Sequence, residues 1–553
     1  MRRNLIDFCD GWVFEGGQTV RLPHNAVDLP LAYFDETTYQ RAFTYEKRFI
    51  ADPGWAGREV AIVFEGAMAD ARVALNGTEI ARHRDGYTPF EARLTGFLRD
   101  GENVLTVTVD GSENPEFPPF GGQIDYLTYA GIYREVWLRV TAPVFLQNCK
   151  VETPDALAAK KSVRVRAEIA NPQGLPLSGT LTVRLLDGEG REVAVAEASL
   201  HPSPPTPLPQ GERGAQESIH PRSPLLPLRE KVGFRASERS DEGCCETIEL
   251  TLDGLEGIAL WDIDNPALYR LDLTLETPHG CDVATVRFGF RTAEFTPDGF
   301  FLNGRHLKLR GLNRHQSFPY VGYAMGRAAQ VRDAEILKRE LKLNIVRTSH
   351  YPQSKWFLDR CDELGLLVFE EIPGWQHIGG EGWKDEAVEN VRRMITRDWN
   401  HPSIILWGVR INESQDDHAF YARTNALARA LDGTRQTGGV RFLSESELLE
   451  DVYTINDFVL GVEELGGNRP RTALRPPAEV TGLAQPVPYL VTEYNGHMFP
   501  TKSFDPEQRQ AEHVLRHLDV LDAAYGDPNI AGAIGWCAFD YNTHKDFGAG
   551  DRI

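Results

Sequence analysis

Residues 1 to 143 alternate apolar and polar positions in short runs, as in Glu59-Val-Ala-Ile-Val-Phe, Ala71-Arg-Val-Ala-Leu and Asn103-Val-Leu-Thr-Val-Thr-Val. A period of two puts successive side chains on opposite faces, so each run predicts a half-buried β-strand. Asn76-Gly77 supplies the positive φ that a tight hairpin needs. The pattern predicts a jelly-roll β-sandwich over 1–143. Strands continue over 144–293, in Ser162-Val-Arg-Val-Arg-Ala-Glu-Ile, Leu181-Thr-Val-Arg-Leu-Leu and Leu268-Tyr-Arg-Leu-Asp-Leu-Thr-Leu, which predicts a second, immunoglobulin-like sandwich. Between 201 and 246 that domain is interrupted by a stretch crowded with Pro202, Pro204, Pro205, Pro207, Pro209, Pro221, Pro224 and Pro227. Such a composition buries too little apolar surface to offset chain entropy, which predicts a disordered excursion, either an inert insertion or a partner-binding segment.

From Phe300 the period lengthens. Val331, Ala334, Leu337 and Leu341 share one helical face, Val388, Val391, Ile395 and Trp399 a second, and Val514, Leu518, Leu521 and Tyr525 a third. Between them lie buried-strand runs: Leu307-Lys-Leu-Arg-Gly, Asn344-Ile-Val-Arg-Thr, Leu367-Val-Phe-Glu-Glu-Ile, Ser403-Ile-Ile-Leu-Trp-Gly, one near Arg441, one from Tyr453, Tyr489-Leu-Val-Thr-Glu and Ile530-Ala-Gly-Ala-Ile-Gly-Trp. Read together they predict a (β/α)8 TIM barrel over 294–553, eight βα units of which the last lacks its helix. Apolar surface left bare by that helix predicts lower stability and reduced activity.

Two carboxylates about eighty residues apart stand at strand ends in this pattern, Glu413 after strand four and Glu493 closing strand seven. In a β/α barrel that rim carries the chemistry. Two carboxyls facing each other across a sugar divide the breaking of a glycosidic bond, one as proton donor and one as nucleophile, when roughly 5 to 5.5 Å apart. The expected chemistry is a retaining glycoside hydrolase. A formal charge of −21 argues against nucleic acid and anionic membranes, which need clustered Lys and Arg, and favours a neutral substrate. No run approaches the ~20 apolar residues of a membrane span. Asp7 and Asp10 interrupt any signal-peptide core, and seven cysteines without CxxC spacing point to a reducing, cytoplasmic setting and to no zinc site.

The barrel resembles glycoside hydrolase family 2, the β-galactosidase and β-glucuronidase family, through Gly311-Leu-Asn-Arg-His315, Val346-Arg347-Thr-Ser-His350-Tyr351-Pro, Asp398-Trp-Asn-His-Pro-Ser-Ile-Ile-Leu-Trp and the two glutamate motifs. Leu22-Pro-His24, Ala130-Gly131-Ile-Tyr133-Arg134-Glu-Val-Trp and Leu260-Trp-Asp-Ile-Asp-Asn-Pro extend the likeness into the sandwiches. The resemblance implies Glu413 as acid/base and Glu493 as nucleophile, with Asn412 at the sugar 2-hydroxyl and Arg347 holding Glu493 ionised or serving as a structural ion pair. It implies sugar contacts from His315 and His350, each otherwise a core or surface histidine. Trp536 is expected as a sugar platform and Trp407 as a second contact or barrel filling. Asp125 either reaches from the first sandwich into the barrel mouth or is an exposed loop acid, and Tyr494 is expected to hold the nucleophile by a hydrogen bond.

Two departures narrow the expectation. Metal-dependent β-galactosidases of the family carry a glutamate two residues before a histidine after strand three; here His377 is present but Trp375 takes the carboxylate's place, so no metal and no other cofactor is expected. The Asn-x-Lys signature of family β-glucuronidases is incomplete, with Lys545 alone. The expected activity is exo-acting β-galactosidase on a terminal β-linked sugar, with β-glucuronidase, another family 2 exo-β-glycosidase, or a catalytically impaired carbohydrate-binding protein as alternatives. A homo-oligomer is open.

Overall fold

A computed structural model describes residues 3–30, 34–200, 244–318, 320–459, 473–496 and 501–544. In the first sandwich a four-stranded antiparallel sheet, ordered 4–7, 136–141, 59–64 and 90–93, covers a six-stranded one ordered 18–20, 12–14, 42–50, 102–110, 70–75 and 78–84. Inward residues of both sheets, among them Trp12, Tyr45, Ile62, Phe64, Val107 and Leu138, form one core. The hairpin between 70–75 and 78–84 turns at Asn76 and Gly77, with φ of 54° and 85°.

The second sandwich pairs a three-stranded sheet (145–152, 161–171, 244–255) with a four-stranded one (192–200, 179–186, 269–277, 280–288) around Val163, Leu181, Leu273 and Phe290. Residues 201–243 of the expected excursion lie outside the described residues. Its expected far end does not hold, because the strand Cys244–Leu255 has already begun.

The third domain is a barrel of eight parallel strands: β1 Leu309–Asn313, β2 Ile345–Thr348, β3 Leu367–Glu371, β4 Ile404–Gly408, β5 Gln436–Gly438, β6 Tyr453–Asn456, β7 Tyr489–Glu493 and β8 Ile530–Gly535. They run in the order β5-β4-β3-β2-β1-β8-β7-β6, and a parallel bridge between Arg441 and Ile455 joins the two ends of the sheet. Leu309, Ile345, Phe369, Leu406, Leu490 and Ile534 fill the interior. Among the described residues its helices are α1 Arg327–Glu335, continued by a π-helical turn Ile336–Glu340, then α2 Lys355–Leu364, α3 Glu381–Asp398, α4 His418–Leu431, α5 Pro477–Thr481 and α6 Glu507–Gly526.

Two expectations are corrected here. The β5–β6 connection, residues 439–452, carries no helix. It is an irregular loop pinned by the buried ion pair of Arg441 with Glu450, so the βα alternation is broken there. On α6 the expected core face lies mostly on the solvent side: Val514, Leu518 and Tyr525 are exposed and Leu521 is half-buried, while Arg516, Val520 and Ala524 are buried. The other two faces fare better, since Val388, Val391, Ile395 and Trp399 are all buried, as are Ala334 and Leu337, though Leu341 is exposed.

The first sandwich sits on the barrel. Arg134 donates to Gln316 Oε1 at 3.2 Å and to the Pro352 carbonyl at 2.9 Å, and the sandwich core includes Tyr323 and Tyr351. The second sandwich is tied on by Trp261, whose indole donates to the Asp362 carbonyl at 2.8 Å, and by Asn400, which donates to the Cys149 carbonyl at 2.7 Å.

Candidate active site

Strands of a barrel alternate inward and outward side chains, and their C-terminal ends open onto one mouth. Arg347 near the end of β2, Glu371 at the end of β3 and Glu493 at the end of β7 meet there. The Arg347 guanidinium is fully buried and its donors are shared out: Nε to Glu371 Oε2 at 2.8 Å, Nη2 to Glu371 Oε1 at 2.8 Å and Asn412 Oδ1 at 2.9 Å, Nη1 to Asn313 Oδ1 at 2.9 Å and Glu493 Oε1 at 2.6 Å. A planar fork between two carboxylates suits arginine, which presents fixed, parallel donors. His350 joins through Nδ1, 2.8 Å from Glu371 Oε1.

Glu413 follows β4 in the left-handed region, φ 53°, where a non-glycine residue is uncommon and usually held by its surroundings. Its N–H donates to the Val440 carbonyl at 2.8 Å. Oε1 accepts from Asn456 Nδ2 at 2.9 Å and Oε2 from Gln376 Nε2 at 3.2 Å.

The electrostatics correct one expectation. Burial pushes the Glu493 carboxyl up to about 8, against the pull of Arg347 and with added repulsion from Glu413. The guanidinium alone therefore does not keep this carboxyl in the ordinary range, because desolvation of the charged form is the larger effect. Burial likewise holds both His315 and His350 well below the usual imidazole range, so both rings are neutral.

The remaining expected residues divide. Trp536 follows β8 with its ring stacked on His350, centroids 5.2 Å apart and planes at 12°. His315 Nδ1 lies 3.0 Å from the Tyr351 hydroxyl, and the His315 ring meets Trp536 edge-on at 5.4 Å. Asp125 is buried, not an exposed loop acid: Tyr541 donates to its Oδ2 at 3.0 Å, and burial raises its carboxyl to about 7, with Glu413 adding to the rise. Among the described residues His315 Nε2, Asn412 Nδ2 and Asp125 Oδ1 are buried without a partner. Tyr494 does not hold the nucleophile. A register shift at Thr492, where Ile455 pairs with Val491 but Asn456 with Glu493, breaks the alternation, so Tyr494 packs outward with Val520 and Ala524 and its hydroxyl lies 3.5 Å from His517 Nδ1 on α6. Trp407 is filling, buried in the layer between barrel and helices with its indole donating to Asp432 Oδ2 at 3.0 Å.

The donor set around Glu413 does not fit the divalent cation that the family likeness raises. Such an ion takes carboxylate, carbonyl or water oxygens. Trp375 offers no side-chain oxygen, and the Gln376 amide covers Glu413 Oε2. His377 packs under the first sandwich instead, where a Cβ on Gly121 would come within 2.4 Å of its Nε2.

Sequence reasoning missed Glu371, Asn313, Asn456, Gln376, Tyr126 and Tyr541. Glu371 and Asn456 end β3 and β6, so the strand-end argument that found Glu493 would have found both. Tyr126, whose ring lies 5.1 Å from His315 and 5.8 Å from His350, had no such signal, because it arrives from another domain.

Family models match three consecutive stretches: the sugar binding domain of glycosyl hydrolases family 2 over 23–143, glycosyl hydrolases family 2 over 144–291 and its TIM barrel domain over 294–545. The β-galactosidase of Thermoanaerobacterium thermosulfurigenes is 51% identical over 100% of this chain and 73% of its own length. That of Rhizobium meliloti is 48% identical over 98% of this chain and 68% of its own. Among solved structures, Bacteroides uniformis β-glucuronidase 2 covalently bound to cyclophellitol-6-carboxylate aziridine superposes with a TM-score of 0.78 at 23% identity, over 98% of this chain and 66% of that one. The three successive matches and the two likenesses over nearly the whole of this chain agree with the barrel and its paired glutamates: the chain belongs to glycosyl hydrolases family 2.

Proposed function

We propose that this protein is a retaining β-galactosidase in which Glu493 is the nucleophile and Glu413 the general acid and base. Glu493 attacks the anomeric carbon as Glu413 gives its proton to the departing glycosidic oxygen. Water then adds to the glycosyl-enzyme, losing a proton to Glu413 and releasing the sugar with its β configuration retained. The observation that carries this reading is the Arg347 fork. It holds Glu493 at the barrel mouth and anchors Asn412, the residue directly before Glu413. Reaction needs the proton on Glu413 and the charge on Glu493, and the guanidinium 2.6 Å from Glu493 stabilises that arrangement in a site from which substrate has expelled water.

Galactose is favoured by the two β-galactosidase relatives, since the β-glucuronidase of Bacteroides fragilis is 28% identical over 80% of this chain. A neutral sugar is favoured by charge as well. Arg347, the cation at the floor of the site, is already engaged by Glu371 and Glu493 and offers little to a substrate carboxylate. The unpartnered atoms of His315, Asn412 and Asp125 supply donors and acceptors for hydroxyls.

The test is turnover of a panel of β-linked aryl glycosides, with the anomer released followed by NMR and a 2-fluoro-galactoside used to trap the intermediate. β-Galactose appears first and the label is found on Glu493. Turnover only of another sugar overturns the galactose assignment, and release of the α anomer overturns the double displacement.

A further inference from the structure

The reading of Glu413 as acid/base leaves open what aims it. Its backbone lies in the left-handed region after the end of β4, so no regular element fixes its side-chain direction. Two amides do so. Asn456 Nδ2 donates to Oε1 at 2.9 Å and Gln376 Nε2 to Oε2 at 3.2 Å, one donor for each oxygen.

The two arms differ in strength. Asn456 ends β6 and is 2% exposed. Its Oδ1 accepts from Thr492 Oγ1 at 2.9 Å and its N–H donates to the Arg441 carbonyl at 2.8 Å. With Nδ2 toward Glu413 the amide gives the carboxylate a donor, whereas a reversed side chain would put an oxygen against it. Thr492 directly precedes Glu493, so this arm ties the acid/base to the strand that carries the nucleophile. Gln376 is exposed, but its backbone is fixed. At φ 57° its N–H donates to the Asn412 carbonyl at 2.7 Å, which brings its side chain back over Glu413.

We infer that Asn456 and Gln376 are positioning residues for proton transfer, an amide clamp that directs the Glu413 carboxyl at the leaving-group oxygen, with Asn456 the stronger arm. This rests on the acid/base reading of Glu413 given above. With one lone pair on each oxygen taken by an amide, the proton is left the remaining sites, which the clamp turns toward the pocket. Loss of an arm lets the carboxyl rotate away, and its cost falls on substrates whose leaving group needs the proton.

The experiment measures kcat/KM, which reports the first bond cleavage, for aryl β-galactosides from dinitrophenyl to unsubstituted phenyl. The wild type is compared with Glu413→Gln, Asn456→Ala, Asn456→Asp and Gln376→Ala, and melting temperatures are recorded for each. General acid catalysis is worth about 10²- to 10⁴-fold, so Glu413→Gln loses that factor on phenyl galactoside and little on the dinitrophenyl compound. Asn456→Ala is expected to lose about tenfold to a hundredfold on the phenyl substrate, Gln376→Ala about threefold to tenfold, and both nearly nothing on the dinitrophenyl one, as fractions of that acid term. Asn456→Asp sets a second carboxyl beside Glu413 and moves the alkaline limb of kcat/KM upward. Equal losses across all leaving groups, or no loss, in both alanine variants overturn the clamp. A flat response in Glu413→Gln overturns the acid/base reading itself. Should Asn456→Ala melt early, Gln376→Ala, altered at the exposed arm, decides the question by the same slope.

Discussion

Arg347 and Glu493 form a buried ion pair of 2.6 Å in which the same guanidinium is gripped along its other edge by Glu371. The pair is therefore a triad of two carboxylates and one cation, and lysine cannot replace the centre, since a point charge cannot serve both forks. Arg347→Lys is expected to lower kcat/KM on an aryl galactoside by about a hundredfold, equivalent to about 2.7 kcal/mol. Arg347→Met, which leaves two buried carboxylates unpaired, is expected to cost about 3–5 kcal/mol of stability as well. Kinetics with denaturant melts check both, and a Lys variant with wild-type kcat/KM removes the role assigned to the fork.

Glu493 makes stability depend on pH. Its folded-state carboxyl lies at about 8 against an ordinary 4.5, so its contribution is present in full below 4.5 and is lost as the pH rises through about 8. Glu493→Gln removes the cost of ionising a buried group. Its melting temperature relative to wild type is expected to climb from pH 5 to pH 8.5, while activity disappears. A constant offset across that range means that Glu493 titrates as an ordinary carboxylate.

Asp125 should matter to binding more than to folding. Asp125→Asn keeps the shape and the Tyr541 contact but removes a carboxyl that burial raises to about 7. kcat/KM for the galactoside is expected to fall by about tenfold to a hundredfold, mostly through KM, from loss of one or two strong hydrogen bonds to sugar hydroxyls at about 1.4 kcal/mol per decade. Melting temperature should hold or rise. Unchanged kinetics would detach Asp125 from the pocket.

Chelation is expected to leave turnover within twofold of its starting value, since Gln376 stands at Glu413 where a cation would need an oxygen-rich site. Loss of activity in EDTA, restored by a divalent ion, contradicts the donor-set argument.

The faces of α6 can be told apart by charge. Leu518 is 54% exposed and Val520 is 1% exposed. Leu518→Glu is expected to change stability by no more than about 0.5 kcal/mol, and Val520→Glu by more than about 3 kcal/mol from an unpaired buried charge. The reverse order in thermal melts would restore the face that the hydrophobic pattern favours.

That helix marks where the chain's pattern stops being a guide. Periodicity finds the larger apolar stripe, and on α6 the stripe of Val514, Leu518 and Tyr525 is larger than the buried one, which is made of Val520, Ala524 and the stem of Arg516. Glu413 and Glu493 were legible because each ends a run of strand-forming residues, and the rim rule turns position into chemistry. Tyr494 misled because adjacency in sequence places it beside the nucleophile, while the register shift at Thr492 turns Glu493 inward and sends Tyr494 to the far side of the sheet. Asn456 and Gln376 went unseen for a different reason. Their roles depend on which neighbouring strand end a short amide can reach, a relation between segments 43 and 37 residues apart that no local period encodes.

The carboxyl of Asp125 enters the barrel mouth from the leading domain, with Tyr126 beside it against both histidines. Recognition therefore spans a module boundary, with Asp125 lent by one module and the unpartnered atoms of His315 and Asn412 by the other, while both glutamates stay on the barrel. A graft of the front sandwich from a cousin with different tastes is expected to shift the choice among sugars without carrying it whole.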